Sequence, residues 1–229
     1  MKRLLYLLLL ASFVASLTGC KTTGATKSIK ELSQINKVAV VSLTVSDWGG
    51  SVKGGGIGSN MHQTMQNATD SLLNYTEKEL AKQFNVARAS SFIGSNGYKK
   101  QTEELSLTAY VPNVKGKPLG VFTQDSRSLK RGDLAPEKAA ALCQSLGVDG
   151  VFLIFSEWTV ATGKLVPTNK ALTKNIVSLW DAAGKKVFTR RVDKVGSKVL
   201  GSMGFKAVTP ETIPEWTSTY KQSLMQILN

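Results

Sequence analysis

Cysteine and histidine are almost missing from this 229-residue sequence, which has two of the former, Cys20 and Cys143, and one of the latter, His62. A multi-histidine metal centre is therefore excluded, and neither a metal nor a cofactor is expected. Phosphate-binding signatures are missing too. No Gly-Lys-Ser/Thr ending occurs, and the glycines at 54, 55, 56 and 58 fail the dinucleotide pattern because position 59 is serine. No Gly-x-Ser-x-Gly elbow supplies a serine nucleophile. Acidic residues are scarce, 16 against 29 basic ones for a net charge of +13, so anionic partners are favoured. Long apolar runs are confined to the first twenty residues.

What is there begins with Lys2 and Arg3, followed by the apolar stretch Leu4 to Leu17. At 14 residues the stretch falls short of the roughly 20 that a helix needs to cross a bilayer, and it reads as a cleaved signal-peptide core. The next residues, Leu17-Thr18-Gly19-Cys20, resemble the lipobox of bacterial prolipoproteins. That resemblance implies a signal peptide over residues 1–19, cleavage before Cys20, and acylation of Cys20 by diacylglycerol and a further fatty acid such as palmitate. Several acyl chains exceed what stable anchoring needs. Lys21 stands where an aspartate would retain enterobacterial lipoproteins at the inner membrane, so the periplasmic face of the outer membrane is the expected location.

Residues 20–34 are small and polar without apolar period and read as a lipidated tether with a mean reach of about 20 Å. Residues 35–229 form one expected α/β domain, large enough for a sound core. The run Asn36 to Val45 reads as a strand covered on both faces, and residues 47–60, with six glycines, as a loop. Met61, Met65, Ala68, Leu72, Tyr75, Leu80 and Phe84 trace a helix over 61–83 with Asn60 as its N-cap. Residues 85–92 follow as a strand parallel to the first, and 93–133 as a loop-rich insertion. Pro136 and Gly147 bracket a helix that feeds an apolar strand over 148–160. Residues 174–182 and 186–195 around Ala183-Gly184-Lys185 predict an antiparallel hairpin, and Trp216, Tyr220, Leu224 and Ile227 a last amphipathic helix. The order is β-α-β-α-β-β-β-α, a mixed sheet with helices packed on it.

The segments Lys37-Val-Ala-Val-Val-Ser-Leu and Leu146-Gly-Val-Asp-Gly-Val-Phe-Leu-Ile, ahead of a C-terminal hairpin, look like a group of periplasmic lipoproteins and domains. The group includes the curli-secretion lipoproteins, the activator lipoproteins of penicillin-binding proteins and the amino-terminal domain of the Tol-Pal periplasmic protein. The resemblance implies a non-enzymatic binding or accessory module, which in some members assembles into oligomers. It brings no catalytic residue.

With that compartment, the expected partners are the membrane, through Cys20, and an envelope protein or anionic envelope polymer rather than nucleic acid. The chain is also a possible homo-oligomer. Basic residues Lys185, Lys186, Arg190, Arg191 and Lys194 on the hairpin, with Lys198 at its exit, are the candidate contact set, joined by Trp48 and Lys53 in the glycine-rich loop. Arg190 and Arg191 must point to opposite faces of their strand. Trp158 is expected in the core, Cys143 as a buried structural thiol and His62 on the surface. The contrasting possibility is a peptidoglycan-directed hydrolase using two of Asp47, Asp149, Glu157 and Asp181, or Cys143 with His62.

Overall fold

The computed structural model describes residues 32–46, 59–104, 109–123, 125–163, 168–202 and 208–229. Its spine is a sheet in the order β2-β1-β6-β7-β8, with β1 at Lys37–Ser46, β2 at Asn85–Ala87, β6 at Gly150–Thr162, β7 at Thr168–Asp181 and β8 at Lys186–Ser202. β1 runs parallel to both β2 and β6, while β6, β7 and β8 form an antiparallel meander. This is the expected mixed sheet with helices packed on it. The parallel part is apolar on both faces, as its cover requires: Val38 to Leu43 and Val151 to Phe155 are all buried.

One face carries α1 (Ser59–Leu80) and α6 (Ile213–Leu228). Phe84, just past α1, meets Phe152 edge-on at 5.9 Å, and Thr76 of α1 shares a 2.9 Å hydrogen bond with the buried Tyr220 of α6. The other face carries α4 (Ser126–Arg131) and α5 (Pro136–Leu146). There the Gly132 carbonyl accepts from Ser178 Oγ at 2.8 Å and Trp180 Nε1 at 3.1 Å. Pro136 opens α5 and Gly147 closes it in the left-handed conformation at φ 60°, as the sequence predicts.

Two expectations need correction. α1 begins at Ser59, so Asn60 lies inside it rather than capping it; the Asn60 carbonyl accepts from Thr64 Oγ1. The second strand ends at Ala87, and Ala89–Phe92 turns into the short helix α2. A buried acceptor decides this: the Glu77 carboxylate takes the Ala89 N–H at 2.7 Å, and the Phe92 ring meets Tyr98 at a tilt of 56° with centroids 5.0 Å apart. The 93–133 segment, read from the sequence as a loop-rich insertion, packs against the rest of the domain. It holds α3 (Asn96–Lys99), β3 (Ala109–Tyr110, antiparallel to the end of β1), the β4–β5 hairpin (Asn113–Val114 with Lys117–Pro118) and α4. It buries Tyr98, Leu119, Val121, Phe122 and Leu129. The Tyr98 hydroxyl donates to the Val41 carbonyl and accepts from the Gly120 N–H, both at 2.7 Å, tying the segment to β1.

Glu77 also carries a pH signature. Burial is the largest influence on its carboxyl and raises its pKa, outweighing the Ala89 N–H and Arg88, which lower it. A raised folded pKa means the folded state holds its proton longer than the unfolded chain. The contribution to stability is then full below the ordinary glutamate range and is lost as pH rises through the folded value. Glu77→Gln, which keeps an acceptor for Ala89 without a charge, is expected to gain stability relative to the parent between pH 4 and pH 7.5. Urea unfolding of both proteins at the two pH values checks it; an unchanged difference refutes it.

Candidate partner-binding surface

β6, β7 and β8 extend well past the helices on the α5 side, forming a three-stranded arm. Register and alternation place side chains on that side in rows. The first row, Phe155–Ile176–Arg191, is sealed on its apolar end by Val121 and Leu129. The second is Glu157–Lys174–Asp193, where Lys174 pairs with Glu157 at 2.6 Å and Arg191 grips Asp193 through two hydrogen bonds of 2.8 and 3.0 Å. Those hydrogen bonds are the chief reason that the guanidinium pKa lies above its usual range. The third row is Thr159–Leu172–Val195 and the fourth Ala161–Lys170–Val199. Val195 is 47% and Val199 50% exposed. A fixed charge ladder thus borders an open apolar strip.

The opposite side of the arm is closed and ordered. Trp158 Nε1 donates to Ser156 Oγ at 2.9 Å, Ser156 bonds Asn175 at 2.5 Å, and Asn175 Nδ2 donates to Thr173 Oγ1 at 2.9 Å. Trp216 of α6 donates to the Thr159 carbonyl at 2.8 Å, so the helix is pinned to the arm. Trp158 is fully buried, as expected. The register shift between Leu172 and Lys170 lets the Gly196–Lys198 stretch bulge from β8. Such bulges interrupt an edge strand.

The basic residues singled out from sequence are not brought together. Lys186 pairs with Asp133 and sits 5.2 Å over the Trp180 ring. Arg190 donates to the Ile227 carbonyl near the end of α6, and Arg191 belongs to the ladder on the other face. Lys198 pairs with Glu215 at 3.1 Å. Lys185 is exposed in the β7–β8 turn, where its N–H donates to Asp181. Lys194 is half-buried on the α6 side of β8, opposite Thr173. Cys20, Trp48 and Lys53 lie outside the described residues. Sequence reasoning missed Val195 and Val199. Their signal was the alternation Arg191, Asp193, Val195 on one face of a strand, which puts an apolar side chain in line with two charges.

Cys143, His62 and Glu157 stand at separate places in the fold. Cys143 is buried on the inner face of α5, and burial, then Asp181 and Asp149, push its thiol up to about 12, far from a reactive thiolate. His62 is exposed on α1, against Tyr110 at 5.3 Å, on the opposite side of the sheet. Asp149 Oδ2 accepts the Asn36 and Lys37 N–H groups, Asp181 Oδ1 those of Ala183 and Lys185, and Glu157 holds Lys174. Asp47 lies outside the described residues. Open grooves among the described residues include one of about 440 Å³ between Tyr98, Glu104 and Lys117 and one of about 460 Å³ between α1 and α6. Among the described residues, no three His, Cys, Asp or Glu side chains are placed to hold a metal, and no helix is long and apolar enough to cross a membrane.

No known protein family matches the chain, and no curated protein does. Similar solved structures include the PelC dodecamer from Paraburkholderia phytofirmans, at 12% identity over 91% of this chain and 94% of that one, with a TM-score of 0.38. The hypothetical protein CT253 from Chlamydia trachomatis is 12% identical over 85% of this chain and 94% of its own, with a TM-score of 0.36. Lipoprotein GNA1162 from Neisseria meningitidis is 12% identical over 82% and 96%, with a TM-score of 0.33. These likenesses concern chain shape alone.

Proposed function

We propose that this chain is a lipid-anchored envelope lipoprotein, acylated at Cys20 on the periplasmic face of the outer membrane, whose α/β domain is a non-enzymatic binding module. The lipobox at Leu17–Cys20 behind a short apolar core carries the anchoring. The open side of the β6–β8 arm supports binding: a rigid sheet face with fixed charges and two exposed valines is built to meet another macromolecule. Its partner is an envelope protein with a matching apolar and charged face, with a further copy of the chain as one form of it.

Mass spectrometry of the membrane fraction tests the anchor. The parent is expected to start at an acylated Cys20, whereas Cys20→Ser is expected to keep residues 1–19 and carry no acyl chain. A parent without acylation sinks the reading. For the arm, Val195→Asp with Val199→Asp is expected to lose co-purifying partners while Lys198→Glu, on the other face, keeps them. Retention by the valine variant would remove the arm from the proposal.

A further inference from the structure

The described chain enters at Leu32, and where it enters bears on how the domain stands. Leu32 shares a small apolar recess with Phe84, Phe152, Leu179, Phe188 and Ile227. Those residues come from just past the C-terminal end of α1, the start of β6, the ends of β7 and β8 next to their turn, and the last turn of α6. All lie at one pole of the sheet. Around it, Gln83 Nε2 donates to the Leu228 carbonyl, and Asp149 and Asp181 spend their carboxylates on backbone N–H groups. Lys185 is exposed in the turn at this pole, beside these two acids.

The opposite pole is the arm tip, where Thr162 pairs with Asn169 and Thr168 with Ser202. β6 rises from the first pole to the second over Gly150–Thr162, a span of about 40 Å at about 3.3 Å per residue. Cys20 lies 12 residues before Leu32. As a random coil, 12 residues have a mean reach of about 20 Å, and even drawn out they reach only about 40 Å. An inverted domain would need the tether almost fully extended along its whole height, at a large cost in chain entropy.

Resting on the acylation of Cys20 proposed above, we infer that the pole bearing Leu32, Gln83 and the Ala182–Lys185 turn faces the bilayer surface, and that the arm tip, with Val195 and Val199 in its outer half, stands away from it. The arm strip is then out of reach of the anchoring membrane. Its partner approaches from the periplasmic space.

The acylated protein, reconstituted in phosphatidylethanolamine–phosphatidylglycerol vesicles carrying a nitroxide on some headgroups, tests this. A fluorophore goes on Ala183→Cys at the proposed basal pole or on Thr162→Cys at the tip; Cys143 is buried and does not compete. Quenching is expected to be severalfold stronger at 183 than at 162. Equal or reversed quenching in protein that floats with the vesicles overturns the orientation alone. Protein that does not float overturns the acylation and the orientation together.

Discussion

Gly184→Ala is expected to cost about 3 kcal/mol or more of folding stability, near the severe end for a single methyl. Gly184 sits in the β7–β8 turn at φ 76°, where an L side chain is strained by about 1 kcal/mol or more. A Cβ there would lie 2.4 Å from the Pro136 carbonyl oxygen, 2.9 Å from its carbon and 3.0 Å from its Cα. All three atoms are backbone at the first residue of α5, so no rotamer change relieves the contact. The hairpin would have to lift off the helix start or α5 shift on the sheet. Gly116→Ala is the control: Gly116 has nearly the same φ, 74°, in the β4–β5 hairpin, but its Cβ would meet nothing within 4 Å. It is expected to lose only the conformational share, about 1 kcal/mol. Urea unfolding of the pair measures both, and equal losses would show that the close approach to Pro136 is not what Gly184 is there for.

Tyr98→Phe removes one oxygen and strands two buried backbone groups. The hydroxyl donates to Val41 O and accepts from Gly120 N, both at 2.7 Å, and burial pushes its pKa far up, so it stays protonated at any working pH. Each stranded group costs about 1–3 kcal/mol, so an overall loss of about 2–6 kcal/mol is expected. Amide exchange at Gly120 should accelerate with it, since the N–H loses its acceptor. Tyr220→Phe is the matched comparison, because among the described residues that buried hydroxyl has one partner, Thr76 Oγ1, and its loss is expected to cost about 1 kcal/mol. A Tyr98 variant no worse than the Tyr220 variant would mean that the 93–133 segment is held by its apolar side chains and not by this hydroxyl.

Both results bear on how the molecule is read. The β7–β8 hairpin was legible because Ala183-Gly184-Lys185 interrupts two β-rich runs, and α5 because Pro136 and Gly147 mark its ends. These are local signals, written within a dozen residues. The 93–133 segment gave no such signal. Its apolar residues are spread among Gly, Ser and Lys without a period, and Tyr98 is understood only once Val41, 57 positions earlier, is beside it. The same holds for the shortened β2. Residues 88–92 look like strand, and the buried Glu77 carboxylate twelve residues before Ala89 makes them helix.

The candidate surface divides in the same way. Chain order alone determined the mixed-sheet class and the face alternation of Arg190 and Arg191, because each depends on neighbours in sequence or on a fixed period of two. Tertiary structure alone decided which charges are free to meet a partner. Lys186 and Arg191 read as open basic residues until Asp133 and Asp193 are placed against them, and Val195 and Val199 read as ordinary strand residues until their side chains are found about half exposed. Exposure and ion pairing depend on what the rest of the chain brings to a surface, and that is settled only when distant segments pack.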